Sequence, residues 1–399
     1  MNTDKLNQQH FKHENNQPES QFIFTSKDQT LTASGIIKTL SNNGLNQSDF
    51  IKSVKYQLKK LKKNGHENPI AIGSIPFDTT QKTEFFVPNK SAFSDTLLPS
   101  PEASNEILSL TSLSQVTGEK HFKGAVNKAL LLSENTHLDK VVLSRAIDVN
   151  TTKNLNARHM AEVLYQQNPT AYVFSIPQSN GSVLIGASPE LLVKKQNNLV
   201  SSNPLAGSRK RTPLKQENKK LSDELWSCKK DRFEHKLVAD AVYQHLKPFC
   251  ETINNPDAPS IIETSSMIHL STKIDGILSS ESTSALDLAY ALHPTPAICG
   301  TPAGLAKATI QHLEGYERSQ FCGAVGWMDA DGNGEWVVTI RCGVIKQNSI
   351  RLYAGAGIVQ GSDPEAEFNE TEAKLNTMLS ALGLNTANDT AQATQAKAL

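Results

Sequence analysis

An excess of charge of either sign is absent from this 399-residue chain: Lys and Arg total 40, Asp and Glu total 40. That balance offers no electrostatic case for nucleic acid or an anionic membrane, although a few local cations would suffice for a small acidic substrate. Long apolar runs are missing too. No stretch reaches the roughly 18 apolar residues of a membrane-spanning helix. Met1–Ser20 is polar without an apolar core, so no secretory signal is expected there. Cysteine is scarce: Cys228, Cys250, Cys299, Cys322 and Cys342 are odd in number, scattered, and form no CxxC pair. That argues against a disulfide framework or a zinc site, and leaves buried, reduced thiols in a cytoplasmic protein as the expectation.

Hydrophobic residues make up 38% of the chain, enough for a substantial core. Residues 1–20 and 385–399 read as flexible polar tails, since their composition buries too little apolar surface to offset ordering entropy. Between them no long linker or repeat occurs, so 21–384 is expected to form one domain. β-Branched and apolar runs predict strands over Val141–Arg145, Ala171–Ile176, Ser182–Ala187, Val337–Ile345 and Arg351–Gly357. Helical periodicity predicts helices over Ala157–Gln167, Glu224–Leu246 and Pro364–Leu382, the last capped by Ser362 or Asp363 with Pro364 in its first turn. Clustered strands without regular βαβ alternation favour an α+β fold.

Four segments could carry chemistry. In Pro364-Glu-Ala-Glu-Phe-Asn-Glu-Thr-Glu-Ala-Lys374, residues Glu367, Glu370 and Lys374 share one helical face. Two carboxylates there would bind a hard cation if a third joined them, and a solvated helix with a Glu–Lys pair would show the same spacing. Glu365 and Glu372, on other faces, read as solvated. Lys229–His235 opens a helix and offers Glu234 as the third carboxylate, or is simply an exposed charge run. Gly186-Ala-Ser-Pro-Glu190 and Asn203-Pro-Leu-Ala-Gly-Ser208 are small-residue turns that allow close backbone approach to a ligand; Ser188 could equally cap a helix. Ala354-Gly-Ala-Gly-Ile-Val-Gln-Gly361 starts like a dinucleotide loop, but Gln360 holds the third glycine's place and no βαβ unit surrounds it. Lys140 and Arg341 border apolar runs, so both are candidates for anion contacts or catalysis. His269 and His293 have a hydrogen-bonded structural role as their default.

Together these segments resemble the chorismate-utilising enzymes, and most closely the siderophore-type isochorismate synthases. The matching stretches begin with Lys140-Val-Val-Leu-Ser-Arg145, Ile185–Leu192, Asn203–Ser208 and Lys230-Asp-Arg-Phe-Glu-His235. They continue with His269–Thr272, Leu292–Ala297, Gly323–Trp327, Asp331–Arg341, Tyr353–Val359 and Glu367–Lys374. They occur in the family's order from Lys140 onward, whereas Phe22 to His121 matches loosely. The resemblance implies a β-sandwich-like core flanked by helices around a deep site. It implies Mg²⁺ as cofactor, held by Glu234 and Glu370, with Glu367 reaching the ion directly or through water. Arg341 and the backbone near Gly355 are implied to hold the enolpyruvyl carboxylate of chorismate. Gly207, Ser208, His269, Ala297 and Lys374 are implied to line the substrate, Lys140 to be the base that activates water, and Glu190 the acid opposite.

The chemistry suits these residue types. Leaving hydroxide must be protonated, which fits a carboxylic acid kept neutral by its surroundings. A lysine serves as base only if its pKa falls from about 10.4 toward neutrality. By resemblance, the ammonia-using relatives lack a lysine where Lys140 stands, and the lysine that some of them carry at Ala206 is absent here. Salicylate synthases share Lys140 and Glu190 but eliminate pyruvate; Ala297 and Phe321 look more like the non-eliminating type. The expected protein is therefore a monomeric isochorismate synthase with no nucleic-acid or membrane partner. It would feed 2,3-dihydroxybenzoate and catechol siderophores, with a functional link to a downstream isochorismatase. The alternatives are a salicylate synthase, a menaquinone-pathway isochorismate synthase, or a non-catalytic carboxylate-binding relative.

Overall fold

The computed structural model describes residues 21–95 and 109–384; the two tails expected from composition lie outside them. Two large antiparallel sheets face each other. One of ten strands runs, by its order in space, from Gly300–Thr301 through Lys140–Thr151, Ser349–Ile358, Cys342–Lys346, Val183–Ser188 and Tyr172–Pro177 to Gln21–Thr25, Thr30–Ser34 and Lys90–Ser94; Leu110–Gln115 pairs beside Lys140–Thr151. The other has nine strands, with Gly334–Val338 and Ala324–Asp329 at its centre. The main core covers both faces of the nine-stranded sheet: between the sheets Phe22 meets Phe86 at 5.6 Å and Phe93 meets Trp327 at 4.8 Å, and on the far face Trp336 meets Phe85 at 5.4 Å and Phe50, from the helix Gln47–Lys63, meets Phe85 at 5.3 Å between ring centroids. A second apolar layer joins the outer face of the ten-stranded sheet to the helices Ala157–Gln167 and Pro364–Ala381. This is the expected α+β sandwich flanked by helices. Residues 21–94, which matched the resemblance loosely, supply strands to both sheets.

Local rules explain the elements that reach the site. Ten consecutive pairs run from Ser349↔Asn150 to Ile358↔Val141, so the glycine-rich strand lies flat along the strand that begins at Lys140. The Gly355-Ala-Gly357 run is thus strand interior and not the strand-to-helix turn of a dinucleotide site. Asp363, not Ser362, caps the last helix by accepting the N–H of Ala366 at 2.8 Å, with Pro364 behind it. No helix of the described residues is long and apolar enough to cross a membrane. All five cysteines are free; Cys299, Cys322 and Cys342 are buried, whereas Cys228 and Cys250 are half-buried.

Four local expectations change. The strand expected over Val337–Ile345 is two strands, Gly334–Val338 and Cys342–Lys346, separated where Arg341 takes a left-handed φ of 49°. The helix expected over Glu224–Leu246 is two, Lys215–Ser227 and Lys229–Leu246, because Cys228 is extended. Ser188 caps no helix: its hydroxyl accepts the Glu190 N–H at 3.2 Å, and the strand Leu191–Gln196 follows. Glu372 is not a solvated residue. It pairs with the buried Arg145, whose guanidinium lies 4.4 Å from the Phe368 ring. Glu365 is exposed as expected, although it also pairs with Lys123.

Candidate active site

One cavity gathers nearly every residue singled out from the sequence. Its walls include Glu190, Gly207, Ser208, Glu234, His269, Ala297, Arg341, Gly355, Glu370 and Lys374. Lys140 and Glu367 lie just behind the wall. The Lys140 ammonium meets the Glu234 carboxylate at 2.9 Å and is itself buried, and Lys230 meets Glu367 at 2.6 Å. The apolar part of the wall was not foreseen as such. Val142, Ile298, Phe321 and Tyr353 face the cavity, with Phe321 stacked on Tyr353 at 4.9 Å and 9°. The resemblance points to Phe321; in the sequence the other three are indistinguishable from ordinary core residues.

The backbone prepares this space. A Cβ added at Gly357 would lie 2.1 Å from Glu234 Oε1 and 3.0 Å from Lys140 Cε, so a side chain there would displace both. Gly207 has φ +74° at a bulge between Ala206 and Ser208, and its Cα faces Asp231 on the helix that carries Glu234. Asp231 is in turn held by Arg209 at 2.7 Å, which fixes that helix against the strand Leu205–Lys210.

Burial sets the protonation states. It lifts the Glu190 carboxyl to about 7, against the opposing pull of the Leu205 N–H and of the charges on Lys140, Lys374 and Arg341. Burial lowers Arg341 to about 10, which leaves it cationic at neutral pH. Burial and then the Arg341 and Lys374 charges depress His269 to about 3, so its imidazole is neutral; Arg341 Nη2 lies 3.5 Å from Nε2. His293 lines no part of this cavity. It is a structural histidine, with Nε2 3.0 Å from the Pro76 carbonyl.

Both readings of the last helix hold at once. Lys374 pairs with Glu370 at 2.6 Å and donates to the Gly355 carbonyl at 2.8 Å, and Glu370 also lines the cavity. Burial opposes ionisation of Glu370, but the Lys374 pair overrides it and lowers its pKa. Glu367 is raised by burial and by the adjacent Glu370 charge. Among the described residues no group of three or more acidic, histidine or cysteine side chains is gathered tightly enough to hold an ion. Each of Glu234, Glu367 and Glu370 is turned to a lysine instead. In chemistry, however, an all-carboxylate set with two members close enough to repel suits a hard divalent cation. The buried Ser208 hydroxyl, which stabilises the Glu370 carboxylate beside it, adds an oxygen at the same place.

Comparison with known proteins identifies the family. The family described as chorismate binding enzyme matches residues 87–383. Isochorismate synthase DhbC of Bacillus subtilis is 40% identical over 373 residues, covering 91% of this chain and 94% of the relative. The vibriobactin-specific isochorismate synthase of Vibrio cholerae is 38% identical, covering 92% of each. The crystal structure of DhbC from Bacillus anthracis superposes with a TM-score of 0.87 at 40% identity, covering 92% of this chain and 97% of that one. With this family match over residues 87–383 and these relatives along most of its length, the chain belongs to the chorismate-binding enzyme family.

Proposed function

We propose that this protein is an isochorismate synthase, taking chorismate to isochorismate by adding water at one end of an allylic system as a hydroxyl leaves from the other. The observation that carries this is Glu190, a cavity carboxyl whose pKa of about 7 keeps much of it protonated at neutral pH. A neutral acid is what a departing hydroxide requires. Lys140, buried against Glu234 at 2.9 Å, is the base that takes the proton of the attacking water once its own ammonium proton has been given up. Arg341 binds the enolpyruvyl carboxylate, neutral His269 accepts from Arg341 and holds its fork in place, and Lys374 steadies the Gly355 carbonyl beside it. Ser208, Gly207 and Ala297 shape the remaining wall.

Glu234, Glu367 and Glu370 would hold Mg²⁺, which when bound supplies positive charge to anchor and neutralise a ring carboxylate. The 2,3-dihydroxybenzoate-specific and vibriobactin-specific relatives support a product that feeds 2,3-dihydroxybenzoate and siderophore assembly; its use by an isochorismatase is part of the same proposal. Residues 21–384 act as one catalytic domain of a cytoplasmic monomer, where the five free thiols stay reduced. The test is chorismate consumption in Mg²⁺ by the wild type, Lys140→Ala and Glu190→Gln. Each variant is expected to lose about 10²- to 10⁴-fold in kcat while its circular dichroism is unchanged. Near-normal turnover in both would overturn the assignment of roles.

A further inference from the structure

The strand Lys140–Thr151 has a gap along its outer edge. Gly300–Thr301 pairs only with Val141 and Lys140, and Leu110–Gln115 pairs only from Ile147 onward. Between them, among the described residues, the strand has no partner strand over Leu143–Arg145, directly beside the cavity; Val142 N–H still reaches the Cys299 carbonyl and the Ala146 carbonyl accepts the Val116 N–H, each at 2.9 Å. Buried backbone groups left so exposed need partners. Here much of that role falls to one ion pair. Arg318 Nη2 donates to the Val142 carbonyl at 2.7 Å, and the Ser144 N–H donates to Glu314 Oε1 at 2.7 Å. The Ser144 hydroxyl donates to the same oxygen at 2.7 Å. Arg318 Nε holds Glu314 Oε2 at 2.8 Å, and Nη1 reaches across to the Ile298 carbonyl at 2.8 Å.

We infer that the Glu314–Arg318 pair is a positioning device, a surrogate strand that fixes the cavity wall from behind. Neither residue lines the cavity, and each side chain is 2% exposed. Yet the groups they grip belong to its wall. Val142 and Ile298 line it, Val142 lies on the same strand face as Lys140, and Ile298 follows Ala297. Ser144 sits opposite Gly355 in the sheet. The guanidinium also lies 4.6 Å from the Phe77 ring and 5.8 Å from Phe321, another wall residue. An ion pair serving stability alone would need no such span. A guanidinium has the fork to bridge two carbonyls and a carboxylate at once, and an ammonium does not.

The consequence is measurable as chorismate affinity in the whole protein, and it needs no turnover. Calorimetry gives both the dissociation constant and the competent fraction. Arg318→Lys keeps the charge opposite Glu314 but loses the span, and is expected to weaken chorismate binding at least fivefold at unchanged stoichiometry. Glu314→Asp, which shortens the carboxylate by one methylene and withdraws it from Ser144, is expected to weaken it in the same sense. It serves alone if the lysine variant does not fold. A purely structural pair would lower the stoichiometry with the folded fraction and leave the dissociation constant within twofold of wild type, and that result would overturn the inference. The inference rests on the cavity being chorismate's. A wild type that binds chorismate without turning it over would defeat the functional reading and leave this comparison standing.

Discussion

Glu190 and Gly357 are the positions where single atoms decide most. The Glu190 carboxyl is raised to about 7 chiefly by burial, so its acid form is present below that value and lost above it. kcat/KM, which reports the free enzyme, is therefore expected to fall as pH rises through about 7, and Glu190→Gln to remove that dependence along with most of the rate. A wild-type pH–rate profile flat between about 6 and 9 would contradict the acid role. Gly357→Ala makes a different demand. Its Cβ would lie 2.1 Å from Glu234 Oε1, the movable end of a side chain, in a strand whose φ suits alanine. Turnover and Mg²⁺ response are expected to drop at least tenfold, with some loss of melting temperature as the buried Glu234–Lys140 pair is pushed aside. Wild-type Mg²⁺ dependence in this variant would remove Glu234 from the ion's ligands.

At the scale of elements, the helix Pro364–Ala381 carries three of the residues on which the reading depends, and two local devices hold it. Asp363 caps it, and Glu372 ties it to Arg145. Asp363→Ala is expected to cost about 1 kcal/mol in denaturant unfolding. Glu372→Gln is expected to cost about 1–3 kcal/mol: the carboxylate is 35% exposed and screened, but its loss leaves the Arg145 guanidinium, 2% exposed, without its carboxylate. A loss below about 0.3 kcal/mol in either would show that the helix is held differently. Both devices also show what the sequence could and could not convey. The cap is local chemistry, legible from Asp363-Pro364. The Glu372–Arg145 pair joins positions 227 residues apart, so spacing along the helix read Glu372 as solvent-facing. Two element boundaries were hidden for the same kind of reason. Arg341 interrupts an apolar run without a proline or glycine at the turn itself, and Cys228 stands between Trp226-Ser227 and two lysines with no breaker residue, so no strong stop signal marks either boundary.

Across the whole molecule, the two sheets and the last helix bring together residues as distant as Lys140 and Lys374 around one cavity. The glycine track and the acidic helix were readable from residue type and period. The apolar wall of Val142, Ile298, Phe321 and Tyr353, and the ion pair behind it, arise only from tertiary assembly. The wall also bears on where the reaction stops, since Ala297 and Phe321 lie within it. The most direct measurement is chromatographic identification of the product made from chorismate, with pyruvate assayed in the same samples, in Mg²⁺ and after chelation. Isochorismate without pyruvate is expected in Mg²⁺, and no conversion after chelation. Stoichiometric pyruvate with salicylate, or conversion indifferent to chelation, would contradict it.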